Sequence, residues 1–193
     1  MSENLRHGVI VLAAGGSSRL GQAKQLLFHE GETLLHRAAR FALATLPHEV
    51  IVVLGAEVPR MLAAIADLPF RPLICDNWRD GMGASLRCAV QALDANIDGV
   101  MIVLCDQPAL TAHHLLALRD GWRRDPQRAV ASGYAETFGV PALLPRRWLA
   151  EKFLRGDQGA RALLRERKTE VTVIDNPALA DDIDRAADLA ALR

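Results

Sequence analysis

The sequence predicts an α/β domain organised around a mostly parallel sheet, and three observations carry that prediction. Uncharged apolar runs recur at the stretch opening at Val9, at 50–54 and at 100–105, as expected of strands buried on both faces. The segments between them place apolar residues three and four apart, the helical spacing. Strand and helix therefore alternate, which favours parallel strands joined by helical crossovers.

The first run breaks into a loop within VIVLAAGGSSRLGQAK, residues 9–24. Gly15 and Gly16 can take backbone angles closed to other residues and leave room for a ligand against the amides. Ser17, Ser18, Arg19 and Lys24 add hydroxyls and positive charge, a combination suited to a polyphosphate. Named phosphate loops do not fit. Gly21 is followed by Gln22 and Ala23 rather than the Lys-Ser/Thr of a Walker A loop, and the glycine spacing of the dinucleotide fingerprint is missing. On spacing alone, an ordinary Gly/Ser turn explains the stretch equally well.

A short apolar piece at 25–28 and the turn His29-Glu30-Gly31 follow. Thr33 can cap a helix with Leu34, Leu35, Ala38, Ala39, Phe41, Ala42 and Leu46 facing inward, ended by Pro47. After the strand at 50–54, closed by Gly55, a helix over 59–68 buries Met61, Leu62, Ile65 and Leu68. A third strand at 72–75 exits through a second glycine loop, DNWRDGMGAS, into a helix over 85–93. There Ser85 can either meet a polar ligand edge or cap its own helix.

The strand at 100–105 ends in Asp106-Gln107-Pro108. Ligands collect beyond the carboxyl ends of parallel strands, so Asp106 is expected on the same rim as the first loop. Beside a polyphosphate its carboxylate calls for Mg²⁺ between them; otherwise it is a turn residue before Pro108. Thr111 caps a helix to Arg124, with His113 and His114 expected in solvent. Strands are expected at 129–133 and 140–144, a helix over 145–154, and the segment GDQGAR at 156–161 leads into a helix through Arg165. A partly exposed strand spans 171–174, and Asp181 to Arg185 precede a final helix over 186–192. No repeat or linker composition interrupts the chain, which reads as one domain over 1–193.

Half of the 193 residues are hydrophobic, enough for a substantial core, and 23 Lys and Arg balance 23 Asp and Glu. With no net positive charge, nucleic acid and an anionic membrane surface are poor partners, and a small diffusible substrate is the better expectation. Cys75, Cys88 and Cys105 lack metal-ligand spacing and read as reduced core residues. The polar start MSENLRHG has no signal-peptide character, so a cytoplasmic location is expected. The three tryptophans read as packing residues or pocket walls, with Trp78, beside the second glycine loop, alone placed for the second role; Arg161 either meets a ligand phosphate or is a surface residue at a helix start.

Taken together, LAAGGSSRLG with Lys24, NWRDGMGASLR, the DQP at Asp106, GDQGARALL and the terminal DIDRAADL resemble the MobA-like nucleotidyltransferases, most closely the molybdenum cofactor cytidylyltransferases. The resemblance covers nearly the whole chain. It implies a Rossmann-like, three-layer fold with a mixed sheet that binds an NTP and Mg²⁺. Leu12, Ala13, Ala14, Gly15, Gly16, Arg19 and Lys24 would hold base and triphosphate, and Ser85 would touch the base. Asp106 matches the family's metal ligand and Asp184 its second ligand, with Asp182 as a competitor. The Ala13-Ala14 pair resembles members using a pyrimidine nucleotide, which favours CTP over GTP.

The implied reaction transfers CMP from CTP to the phosphate of molybdopterin, as part of the molybdenum cofactor, with release of pyrophosphate and with Arg19, Lys24 and Asp106 as catalytic groups. A molybdoenzyme or its chaperone is the implied protein partner. Val140 stands where the cytidylyltransferases usually have His, so a sugar phosphate or another phosphorylated acceptor is the alternative. A non-catalytic module that binds and delivers nucleotide or cofactor is a further one.

Overall fold

The computed structural model describes residues 5–17, 19–149 and 159–192. In chain order the strands and helices are β1 (His7–Leu12), the short hairpin β2 (Phe28–His29) and β3 (Glu32–Thr33), α1 (Leu34–Ala44), β4 (Glu49–Leu54), α2 (Val58–Ala64) and β5 (Arg71–Ile74). They continue with α3 (Met82–Ala92), β6 (Gly99–Leu104), α4 (Ala112–Arg124), β7 (Ala129–Tyr134), β8 (Thr137–Pro145), α5 (Gly159–Glu166) and β9 (Val171–Asp175). The main sheet has 7 strands in the order β5-β4-β1-β6-β8-β7-β9. All neighbours are parallel except that β8 runs against β6 and β7. The sheet is thus mixed and mostly parallel, as expected.

Alternation along the strands divides the core between the two faces. Ile10, Leu12, Ile51, Val53, Val100 and Ile102 pack against Leu86 and Ala89 of α3 and Leu163 and Leu164 of α5. Val9, Val11, Val50, Val52, Met101 and Val103 pack against Leu35 and Ala39 of α1, Met61 of α2 and Leu115, Leu118 and Trp122 of α4. Both faces of β1 are consequently buried, which is why its sequence has no polar side. The result is three layers, helix–sheet–helix.

Caps read from sequence hold. Thr33 Oγ1 accepts the His36 N–H at 3.1 Å, and Thr111 Oγ1 accepts that of His114 at 3.2 Å. Other expectations are corrected. Leu46 does not face inward: it lies past the end of α1 at φ 53° and is 78% exposed. His114 is buried rather than solvated, because its Nε2 meets Ser132 Oγ at 2.7 Å. The mixed stretch after β7 is a tight hairpin turn at Ala135 and Glu136, both at positive φ. Helix α3 starts at Met82, after Gly81 at φ 104°, so Ser85 lies inside the helix and does not cap it. Of the helix expected over 145–154, a 3-10 turn Arg146–Leu149 is described; the rest, Ser18 and residues 156–158 of the GDQGAR segment lie outside the described residues.

The chain leaves β1 for β4 and β5 on one side and returns to β6 on the other. That reversal opens a crevice at the carboxyl ends of β1 and β6, where the loops after Leu12 and Leu104 face each other.

Candidate active site

Two adjoining clefts occupy this crevice. One, of about 360 Å³, is lined by Ala14, Gly15, Gln25, Trp78, Arg79 and Ser85. The other, of about 320 Å³, is lined by Gln107, Tyr134, Val140, Arg161, Leu179 and Asp182. Leu12, Lys24, Met82, Leu104 and Asp106 border both. Lys24 and Asp106 therefore sit at the junction.

The loop after β1 is built differently from the expectation. Among the described residues its left-handed positions are Ser17 at φ 49° and Gly21 at φ 73°, whereas Gly15 and Gly16 need no such angle. Gly16 is required for space instead. A Cβ there would lie 2.9 Å from the Trp78 ring, and one at Gly55 would lie 2.4 Å from Trp78 and 2.8 Å from the Ala14 carbonyl oxygen. Gly15 has nothing within 4 Å of its would-be Cβ, leaving open room above the loop. Trp78 thus braces the loop and walls the first cleft, while Arg79 stacks on its ring at 4.5 Å. Trp122 and Trp148 belong to the core.

The strand-end carboxylate has company. Ile183, fully buried, donates its N–H to the Asp106 carbonyl oxygen at 2.9 Å. With Ile183 plugged into the core, its neighbours Asp182 and Asp184 flank Asp106, and one carboxylate oxygen from each of the three lies within 4.8 Å of the others. Lys24 Nζ bridges Asp106 and Asp184 at 2.7 Å each, and Arg19 approaches Asp184 at 3.6 Å. The structure does not choose between Asp182 and Asp184; both join the cluster.

Electrostatics follow from this crowding. Burial works against a charged Lys24, yet Asp106 and then Asp184 hold its pKa above the ordinary lysine value. The hydrogen bond from Lys24, aided by the charges of Lys24 and Arg19, lowers the pKa of Asp184. Asp182 is pushed up by burial first and then by the negative charges of Asp106 and Asp184. Among the described residues, Asp106 Oδ1 is buried without a hydrogen-bond partner. An orphaned carboxylate oxygen within an all-oxygen donor set fits a hard divalent cation such as Mg²⁺, which Asp106, Asp182 and Asp184 could hold.

The structure therefore gathers Leu12, Ala14, Gly15, Lys24, Ser85, Asp106 and Asp184 around the clefts. Arg19 reaches the rim through Asp184 and is itself mostly exposed. Ala13 is buried beneath the loop and Gly16 packs on Trp78. Sequence reasoning missed Gln25, Gln107 and Tyr134. Gln25, 1% exposed, donates to Ala13 O and Gly15 O at 3.1 and 2.6 Å. A polar residue within an apolar piece was its signal. Tyr134 Oη and Gln107 Nε2 both donate to the Val140 carbonyl, at 2.8 and 3.5 Å, and shape the second cleft. Gln107 lies within the DQP segment that singled out Asp106, whereas nothing in the local sequence marks Tyr134. Among the described residues, no helix is long and apolar enough to cross a membrane.

Comparisons with known proteins agree with this geometry. The MobA-like NTP transferase domain family matches residues 9–171. A nicotine blue oxidoreductase of Paenarthrobacter nicotinovorans is 31% identical over 188 residues, covering 91% of this chain and 90% of that protein. The purine catabolism protein PucB of Bacillus subtilis strain 168 is 31% identical over 165 residues, covering 81% and 79%. The crystal structure of Rv0371c from Mycobacterium tuberculosis H37Rv has a TM-score of 0.82 at 26% identity and covers 97% of both chains. A parallel-sheet crevice with two clefts, the glycine loop and the match over most of the chain lead to one conclusion: the chain belongs to the MobA-like NTP transferase family, a family of nucleotidyltransferases.

Proposed function

We propose that this chain, acting as one domain over residues 1–193, transfers CMP from CTP to the terminal phosphate of molybdopterin and releases pyrophosphate. The observation that carries the reading is the meeting of two clefts at Lys24 and Asp106, which suits two substrates reacting at a shared boundary. The cleft beside Gly15, Trp78 and Ser85 takes the nucleotide; the one beside Tyr134, Val140 and Arg161 takes the acceptor. Cytosine is favoured by the Ala13-Ala14 pair, and molybdopterin by the resemblance to the cytidylyltransferases. The setting is cytoplasmic, with a molybdoenzyme or its chaperone as the recipient of the product.

An acceptor phosphate oxygen forms a bond to the α-phosphorus of CTP, and the bond from that phosphorus to the β-bridging oxygen breaks, its electron pair leaving with pyrophosphate. A phosphate monoester is largely ionised near neutral pH, so no protein base is needed. Mg²⁺, held by Asp106 with Asp182 and Asp184, would supply charge neutralisation for the phosphates. Lys24 and Arg19 move their positive charge onto the oxygens where negative charge grows, and Arg161 orients the acceptor phosphate. Leu12 and Leu104 exclude water from the boundary between the clefts.

The test is pyrophosphate release from each of the four NTPs with Mg²⁺ and either molybdopterin or sugar phosphates. Release with CTP and molybdopterin is expected. Release with sugar phosphates alone would overturn the acceptor, an alternative that Val140 motivates, and tight CTP binding without turnover would point to a delivery module. Asp106→Ala is expected to lower turnover by roughly two orders of magnitude, the effect of losing about 3 kcal/mol of transition-state stabilisation, while the circular dichroism spectrum stays unchanged. Near-normal turnover of that variant would remove Asp106 from the reaction.

A further inference from the structure

The polar groups of the loop after β1 are sorted by direction. Ala14 O accepts from the Ala56 N–H at 3.2 Å. Ala13 O and Gly15 O accept from a single group, Gln25 Nε2, at 3.1 and 2.6 Å. A carboxamide nitrogen has two hydrogens, so these bonds use its whole donor capacity. Gln25 Oε1 accepts the Ser17 hydroxyl at 3.3 Å, and Ser17 Oγ accepts the Lys24 N–H at 3.1 Å. Successive carbonyls at Ala13, Ala14 and Gly15 are therefore all engaged. Among the described residues, the N–H groups of Ala14, Gly15, Gly16 and Ser17 donate to no protein acceptor.

The division has a simple cause. In a planar trans peptide, a carbonyl and the following N–H point in opposite directions. Holding Ala13 O fixes the Ala14 N–H away from Gln25, and holding Gly15 O does the same for Gly16. Consecutive free amides in such a loop make an anion-binding concavity, provided that no carbonyl turns into it.

We infer that Gln25 is a positioning residue whose carboxamide clasps the Ala13 and Gly15 carbonyls and so presents the amides of Ala14, Gly15 and Gly16 to the phosphates of a nucleoside triphosphate. The inference rests on the proposed nucleotidyl-transfer reading and assigns the loop's phosphate affinity to a side chain behind it. Gln25 follows Lys24 in the 3-10 turn Lys24–Leu26, so one turn carries both the ammonium that bridges Asp106 and Asp184 and the clasp. Without the clasp, either peptide plane can rotate and set a carbonyl oxygen against a phosphate oxygen.

The experiment is calorimetric titration of the purified chain with CTP and with inorganic triphosphate, in the parent protein, Gln25→Met and Gln25→Glu. Met keeps the length and removes the donors; Glu keeps the size and replaces the donors with acceptors. The dissociation constants for both ligands are expected to rise together, roughly 10- to 100-fold for Met and further for Glu, as loss of two hydrogen bonds implies. A purely structural role would lower the folded fraction or the melting temperature and leave the dissociation constant of the folded molecules within about threefold of the parent, and that result overturns the clasp. Should the Gln25 variants not fold, nuclear magnetic resonance of the parent protein reads the surface directly: inorganic triphosphate is expected to shift the amide resonances of Ala14, Gly15 and Gly16, and amides that do not respond to it overturn the clasp. Parent protein that binds CTP but not inorganic triphosphate also overturns it. Parent protein that binds none of the four NTPs overturns the nucleotide reading itself, and the clasp with it.

Discussion

Removing the Lys24 ammonium should strengthen metal binding before nucleotide arrives. At 2.7 Å from both Asp106 and Asp184, Nζ competes with a divalent cation for these carboxylates. Each bond is a charge-assisted hydrogen bond worth about 1.5–3 kcal/mol, so evicting the ammonium forfeits roughly 3–6 kcal/mol of gross interaction. Water returns much of that to the released ammonium, and the Asp184 side chain is 43% exposed, which weakens its share. A net cost of about 1.4–2.8 kcal/mol remains, equivalent to roughly 10- to 100-fold in affinity. Lys24→Met, which keeps the stem and loses the charge, should therefore bind Mn²⁺ that much more tightly than the parent protein in nucleotide-free buffer. Calorimetry or the electron paramagnetic resonance signal of free Mn²⁺ reads the difference, with Asp106→Asn as a control expected to abolish binding. Equal or weaker Mn²⁺ binding by Lys24→Met would refute the reasoning. In the parent protein, a triphosphate that draws Lys24 onto its own oxygens would leave these carboxylates to the metal, so metal and nucleotide should bind cooperatively.

The buried His7 gives a stability prediction with a defined sign. Burial, followed by the charges of Arg123 and Arg119, lowers its pKa from 6.5 to about 4 in the folded protein. The unfolded chain thus takes up a proton that the folded chain refuses, and stability present above pH 6.5 declines by roughly 3 kcal/mol as pH falls to about 4. Urea melts across this range should show that slope, and His7→Asn should flatten it; an unchanged slope in the variant would exclude His7 as its source. At the glycine loop, Gly55→Val forces Cβ into Trp78 and the Ala14 carbonyl, which should cost about 1–3 kcal/mol and weaken CTP binding at least tenfold. Gly15→Ala, with open space around it, should change stability by less than about 0.5 kcal/mol, as thermal melts can verify.

How far the sequence reached is clearest at particular residues. Periodicity and turn chemistry were sufficient for β1, β4 and β6 and for the caps at Thr33 and Thr111, because these depend on neighbours within a few positions. The placement of Asp106 at the rim also followed, since a parallel strand delivers its carboxyl end to the ligand side. Leu46 misled because apolar spacing continues past the residue where the helix stops. His114 misled because its partner, Ser132, is a strand residue on another element.

What the chain determined by itself was an alternation of buried strands and amphipathic helices, with a glycine loop and a carboxylate at strand ends. Tertiary structure decided what those ends do together. The Ile183–Asp106 hydrogen bond brings the C-terminal segment across the crevice, so that Asp182 and Asp184 both join Asp106 and Lys24 finds carboxylates on two sides. It also decided what the polar Gln25 does within its apolar piece: its carboxamide nitrogen engages the Ala13 and Gly15 carbonyls of the loop. Local sequence encodes the direction of one backbone segment at a time. Charge neutralisation among Lys24, Asp106 and Asp184, residues 82 and 160 positions apart from the lysine, exists only once the sheet has ordered its strands.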